Sequence, residues 1–169
     1  MNSQPNSQFL VGAVMQLKNN KLKSILAGII MLFGLNSCSM IFGIKNPDAI
    51  KNEQALKLYS QAQEEDAKGS TGFKKAIELL NEANKIEPQN AMILHERGLI
   101  KIHSQLDVEG GFEDLQKSID FSKDEEGRQM RYNNRGLSYM EIGDMEKACE
   151  DWTKAGKDGK YYTKEYCNK

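Results

Sequence analysis

The chain has 169 residues, 28% of them charged, yet its formal net charge is only −1. That length suits one medium domain with an appendage. The near balance of 23 basic and 24 acidic side chains, with no basic stripe, argues against nucleic acid as a partner. The charge is unevenly placed: residues 1–37 hold Lys18, Lys21 and Lys23 but no Asp or Glu, so every acidic residue follows Cys38.

Residues 1–37 predict an export signal. The three lysines form a positive leader, followed by the apolar run Ser24–Leu35. That run is short for a membrane span, which needs about 20 apolar residues, and suits the apolar core of a signal peptide. Met15 precedes the lysines and is an alternative start to Met1. The run ends in Leu35-Asn36-Ser37-Cys38. This resembles the lipobox of bacterial lipoproteins: an aliphatic residue, a variable one, a small one, then cysteine. The resemblance implies a lipid on the Cys38 thiol, cleavage after Ser37, and a lipidated tether over residues 38–48. A general secretory signal with an incidental cysteine, or an uncleaved anchor, are the alternatives.

After Cys38 the pattern is helical. Proline is scarce and apolar residues recur every three or four positions. Asn46-Pro47-Asp48 predicts a helix start with Asn46 as the cap. Ser122 with Glu125 predicts a capping box. Gly143 predicts a helix end and Asp144 the next cap. The dipeptide Gly110-Gly111 reads as a turn.

Residues 132–155, YNNRGLSYMEIGDMEKACEDWTKA, carry an internal pattern that recurs upstream. Tyr132, Arg135, Gly136 and Tyr139 are followed by Ala148, Trp152 and Ala155. Upstream, Leu94, Arg97 and Gly98 are followed by Gly111, Leu115 and Ser118. Earlier still come Ala76, Leu80, Ala83 and the closing Pro88, with Ala62 in the preceding helix in place of the key glycine. The spacings Leu80 to Leu115 and Leu115 to Trp152 are 35 and 37 residues, near the 34 of a tetratricopeptide repeat. The chain thus resembles the tetratricopeptide repeat family over residues 49–156, as repeats at about 49–88, 90–122 and 125–156. Residues 157–169 read as a C-terminal capping helix. The resemblance implies an all-α fold of antiparallel helical hairpins stacked as a right-handed superhelix. Ala76, Ala83, Pro88, Gly98, Leu115, Tyr132, Gly136, Tyr139, Ala148, Trp152 and Ala155 would be its packing residues.

The two histidines, His95 and His103, are eight residues apart, too far for a metal pair one helical turn apart, and no HExxH or CxxC occurs. No nucleophile elbow or phosphate loop occurs either. Acidic runs such as Glu64-Glu65-Asp66 and Asp124-Glu125-Glu126 read as solvated helix faces. The expectation is therefore a non-enzyme that uses no cofactor and no metal.

Function then rests on a surface. The resemblance implies a concave groove lined by the first helix of each repeat. Leu56, Tyr59, Met92, His95, Leu99, Ile102, Met130, Asn133, Leu137 and Met140 would line it. A methionine-rich apolar groove suits adaptable binding of a helix or extended peptide. His95 and Leu99 stand where chaperone-binding relatives carry their carboxylate clamp, so chaperone-tail recognition is not expected. The partner is expected to be another envelope protein or peptide, with membrane attachment through the lipid. A pilotin-like role in secretin assembly, or service as an accessory subunit of a periplasmic enzyme, are the alternative readings. Ser39 follows the cysteine, where Asp would signal inner-membrane retention in enterobacteria, and no acidic cluster follows. The expected location is the periplasmic face of the outer membrane.

Cys149 and Cys167 form an even pair, for which an oxidising compartment suggests a disulfide. They lie nine residues either side of the centre of the Gly156–Gly159 turn. Residues equally far from the turn of an antiparallel hairpin sit level, which brings such a pair into bonding range.

Overall fold

The computed structural model describes residues 46–167, and every regular element among them is helical. In chain order these are α1 (Glu53–Asp66), a 3-10 turn (Gly69–Thr71), α2 (Phe73–Ile86), α3 (Ala91–His103), α4 (Val108–Asp120), α5 (Glu125–Glu141), α6 (Met145–Lys154) and α7 (Lys160–Tyr166). The export signal, the lipobox and Cys38 lie outside the described residues. No helix among the described residues is long and apolar enough to cross a membrane.

Side-chain caps set most helix starts. The carboxamide oxygens of Asn52 and Asn90 accept backbone N–H bonds at the starts of α1 and α3. Asp107, Asp124 and Asp144 do the same for α4, α5 and α6. Such caps satisfy backbone donors that the first turn leaves free. Gly143 leaves α5 at φ +84°, a conformation glycine adopts without strain.

Three local expectations need correction. Asn46 does not cap a helix. Its side chain accepts from the backbone of Asp48 in a tight turn, and the chain runs on unhelical to Asn52 because Glu87 accepts from the backbone N–H groups of Lys51 and Asn52. Ser122 forms no capping box. It is buried and donates back to the Ser118 carbonyl, while Glu125 pairs with Arg128 at 2.7 Å. Gly110-Gly111 is not a turn, since both residues lie in the first turn of α4. A Cβ on Gly98 of α3 would stand 2.7 Å from the Gly111 carbonyl oxygen, and one on Gly111 would stand 2.9 Å from that of Gly98. The paired glycines let the two backbones touch.

Consecutive helices pack on one another: α1 on α2, α3 on α4, and α5 on α6, with α2 meeting α3, α4 meeting α5, and α6 meeting α7. The core is built largely from small residues. Ala55, Ala62, Ala76, Leu80, Ala83, Ile93 and Ile100 form one cluster, and Leu115, Ile119, Ala148, Trp152 and Ala155 are buried farther along. A Cβ on Gly136 would stand 2.6 Å from the Trp152 indole nitrogen, so the ring lies where a larger residue would be. Pro88 is exposed in the turn after α2 and packs no helix pair. Tyr132 and Tyr139 are half-buried and flank the Arg135 guanidinium, at 5.5 and 5.9 Å from their ring centres.

The Arg positions have partners that the sequence pattern did not supply. Arg97 binds Asp114 through two hydrogen bonds of 2.7 and 2.6 Å and donates a third to Asn81. Arg135 binds Asp151 through 2.6 and 2.8 Å bonds and donates a third to Gln116. The arrangement is the same twice: arginine on one helix, aspartate on the next, amide on the one before. For Arg135, burial works against the charge, but the Asp151 carboxylate outweighs it and raises the guanidinium pKa. Cys149 and Cys167 are disulfide-bonded, with Cα atoms 5.6 Å apart.

Candidate functional site

Helices α3 and α5 touch directly, and polar contacts join both to their neighbours on one face. Tyr59 of α1 donates to Glu96 of α3 at 3.5 Å, and Gln63 donates to the Tyr59 hydroxyl. Asn134 of α5 donates to His95 Nε2 at 3.0 Å and to the Met130 sulfur. At the far end of α3, His103 pairs with Glu141 at 3.0 Å. Of the residues that sequence places on a groove, Tyr59, His95 and Met130 take part in these contacts.

They are not equally available. Tyr59, Met92, Leu99, Asn133, Leu137 and Met140 are half-buried. Leu56 and Met130 are exposed. Ile102 is core rather than surface: it is 1% exposed, and its Cγ1 would meet a Cβ on Gly111 at 2.6 Å, which turns it toward α4. His95 is buried too. Burial, reinforced by the nearby Arg131 charge, lowers its pKa to about 3, so the ring is neutral at ordinary pH. Since Nε2 accepts from Asn134, the ring proton sits on Nδ1, which has no hydrogen-bond partner.

The polar seam has two further parts. Arg131 lies 3.0 Å from Asp48, each side chain 3% exposed. Asp48 also accepts from the Lys123 backbone, and its carbonyl accepts from Asn90. The segment before α1 is thereby strapped to α3 and α5. Glu96 is the second part. Burial, then the neighbouring Asp66 charge, raise its pKa, and neither carboxylate has an ion-pair partner among the described residues. Burial, then Glu96, likewise push the Tyr59 hydroxyl well above its ordinary value.

Sequence reasoning missed Arg131, Glu96 and Asp48 as neighbours. Arg131 and Glu96 gave no signal beyond a charged residue within a helix, and Asp48 none beyond its place after Pro47. Among the described residues no group of three or more His, Cys, Asp or Glu side chains is gathered as a metal site. A solvent-open hollow of about 590 Å³ lies elsewhere, between α4 and the junction of α5 with α6. Phe112 and Tyr139, stacked 4.3 Å apart, form its wall beside Val108 and Ile142.

No family model matches the chain, and no curated protein is similar enough to count as a match.

Proposed function

We propose that the protein is a lipid-anchored interaction module of the bacterial cell envelope, built as tetratricopeptide-like helical hairpins, that binds a helical or extended segment of another envelope protein. The observation that carries this reading is the α1, α3 and α5 face. These helices carry half-buried Tyr59, Met92, Leu99, Leu137 and Met140, and the hydrogen bonds of Tyr59 to Glu96 and of Asn134 to His95 link them. Apolar side chains on adjacent helices suit the anchors of a bound segment, and side-chain amides suit its backbone. Methionine adds adaptable contact.

The repeated Arg–Asp–amide arrangement supports the repeat reading, since Arg97 and Arg135 each precede a close-packed glycine.

Site-specific photocrosslinking in intact cells tests the reading. A crosslinker at Leu99 or Met140 should yield one discrete adduct, and a crosslinker at exposed Glu113 on α4 should not. The double change Leu99→Glu and Met140→Glu should remove the adduct formed from Asn133 while helical circular dichroism is kept. Equal adducts from both faces, or none from either, would reject the groove.

A further inference from the structure

Helix α7 is a poor helix by itself. It has seven residues, no side-chain cap at Gly159 and no buried residue, and isolated helices shorter than ~12–15 residues are marginal in water. Its own sequence does not hold it in place.

Contacts with α6 do. Tyr162 stacks on Trp152 with ring centres 5.0 Å apart, and Tyr166 follows one turn later at 6.0 Å. Gly159 lies so close that a Cβ there would stand 2.0 Å from the Trp152 carbonyl oxygen. Cys167, just past the end of α7, is bonded to Cys149 in the middle of α6. The short helix is therefore stacked in the middle and bolted at its far end. Beneath it, Trp152 is fully buried, and its indole N–H has no partner.

None of the buried residues that join α1 to α6 lies on α7. Loss of α7 would thus uncover the Trp152 side of α6 without removing the packing of the other helices.

We propose that the Cys149–Cys167 disulfide is a redox-operated latch: reduction by a dithiol releases α7 and exposes the aromatic flank of α6, while α1 to α6 stay folded. In the exchange, a thiolate of the dithiol attacks one sulfur and forms a mixed disulfide. The other cysteine leaves as a thiolate and takes up a proton. The second thiol of the dithiol then attacks the mixed disulfide and frees the remaining cysteine. The dithiol departs as its own disulfide, having supplied two electrons and two protons, and both cysteines end as thiols. Once free, α7 is held by non-covalent contacts alone, and a helix of seven residues is marginal in water.

Trp152 is the only tryptophan in the chain, so tryptophan fluorescence reports on the surroundings of this one residue. The whole protein is titrated with dithiothreitol while acrylamide quenching, far-ultraviolet circular dichroism and thiol alkylation are followed. The expected result is a severalfold rise in the quenching constant when both thiols become alkylatable, reversed on reoxidation, with nearly all helical signal kept. The double variant Cys149→Ser, Cys167→Ser should show the raised quenching without reductant. Unchanged quenching in fully reduced protein would overturn the proposal, because the aromatic stack alone would then hold the cap. Cooperative loss of the helical signal on reduction would also overturn it, because the bond would then be a staple for the whole domain.

Discussion

Asp48, ahead of the first helix, and Arg131, in the fifth, form an ion pair from which water is almost wholly excluded. Removing one partner of such a pair leaves a buried charge and costs about 3–5 kcal/mol. Asp48→Ala should therefore lower the urea midpoint sharply. Adding Arg131→Met to Asp48→Ala should recover part of the loss, since the stranded charge goes with it. A double variant less stable than Asp48→Ala alone would contradict this account.

The contact between Gly98 and Gly111 has no room for a methyl group on either side: each faces the other's carbonyl oxygen, which cannot rotate aside, together with a buried side chain, Leu115 beside Gly98 and Ile102 beside Gly111. Gly98→Ala and Gly111→Ala should each destabilise by about 1–3 kcal/mol, the usual cost of overpacking. Their effects should not add, because helices already forced apart by one methyl have room for the second. Equilibrium denaturation of the two single variants and the double variant checks this.

His95 gives stability a pH dependence whose sign can be worked out. Its folded-state pKa, about 3, lies below its ordinary value of 6.5. The unfolded chain therefore binds the proton more readily. The contribution is complete above pH 6.5 and is lost as pH falls toward 3. Between pH 6.5 and 5 the loss approaches ~1.4 kcal/mol per pH unit. Glu96 acts in the opposite direction, its raised pKa favouring the folded state as it takes up a proton. Comparison with His95→Gln, which keeps an acceptor for Asn134, isolates the histidine. Stability should fall less steeply with acid in the variant than in the parent.

Cys38→Ala tests the anchor. The variant should carry no lipid and retain its unprocessed leader on mass analysis. A variant of unchanged mature mass that stays with membranes would exclude lipidation at this residue.

The helical class and the junction between α5 and α6 were legible in the sequence because each rests on short-range chemistry. Asp144 caps α6 and Gly143 ends α5 through contacts within a few residues. The disulfide was legible because equal spacing about a turn is itself a geometric statement. What escaped depends on which of several partners a side chain finds, and most of those partners are distant in sequence. Asn46 and Ser122 carry good capping side chains, but Asp48 is bound by Arg131, and the Ser122 hydroxyl turns back to Ser118. Gly110-Gly111 looks like a turn until Gly98 is seen against it. On the candidate face, periodicity identified the helices but not the depth of each side chain, so Ile102 and His95 were placed outward although they are buried. The aspartates next to Leu115 and Trp152 stood in plain view. Their arginine partners sit 17 and 16 positions earlier, a separation no local rule connects.

The strap between residues 46–52 and the rest of the domain also has a mechanical consequence. A force applied from the N-terminal side does not reach α1 first. It meets Asp48, held by Arg131 and by the Lys123 backbone, and Pro47, whose carbonyl accepts from the Lys123 side chain. The load passes straight into α5 and its leading turn, on the far side of the chain from where the tension enters. The strap works as a strain relief, as on a cable, so a pull on residue 46 stresses the middle of the structure instead of peeling its first helix away.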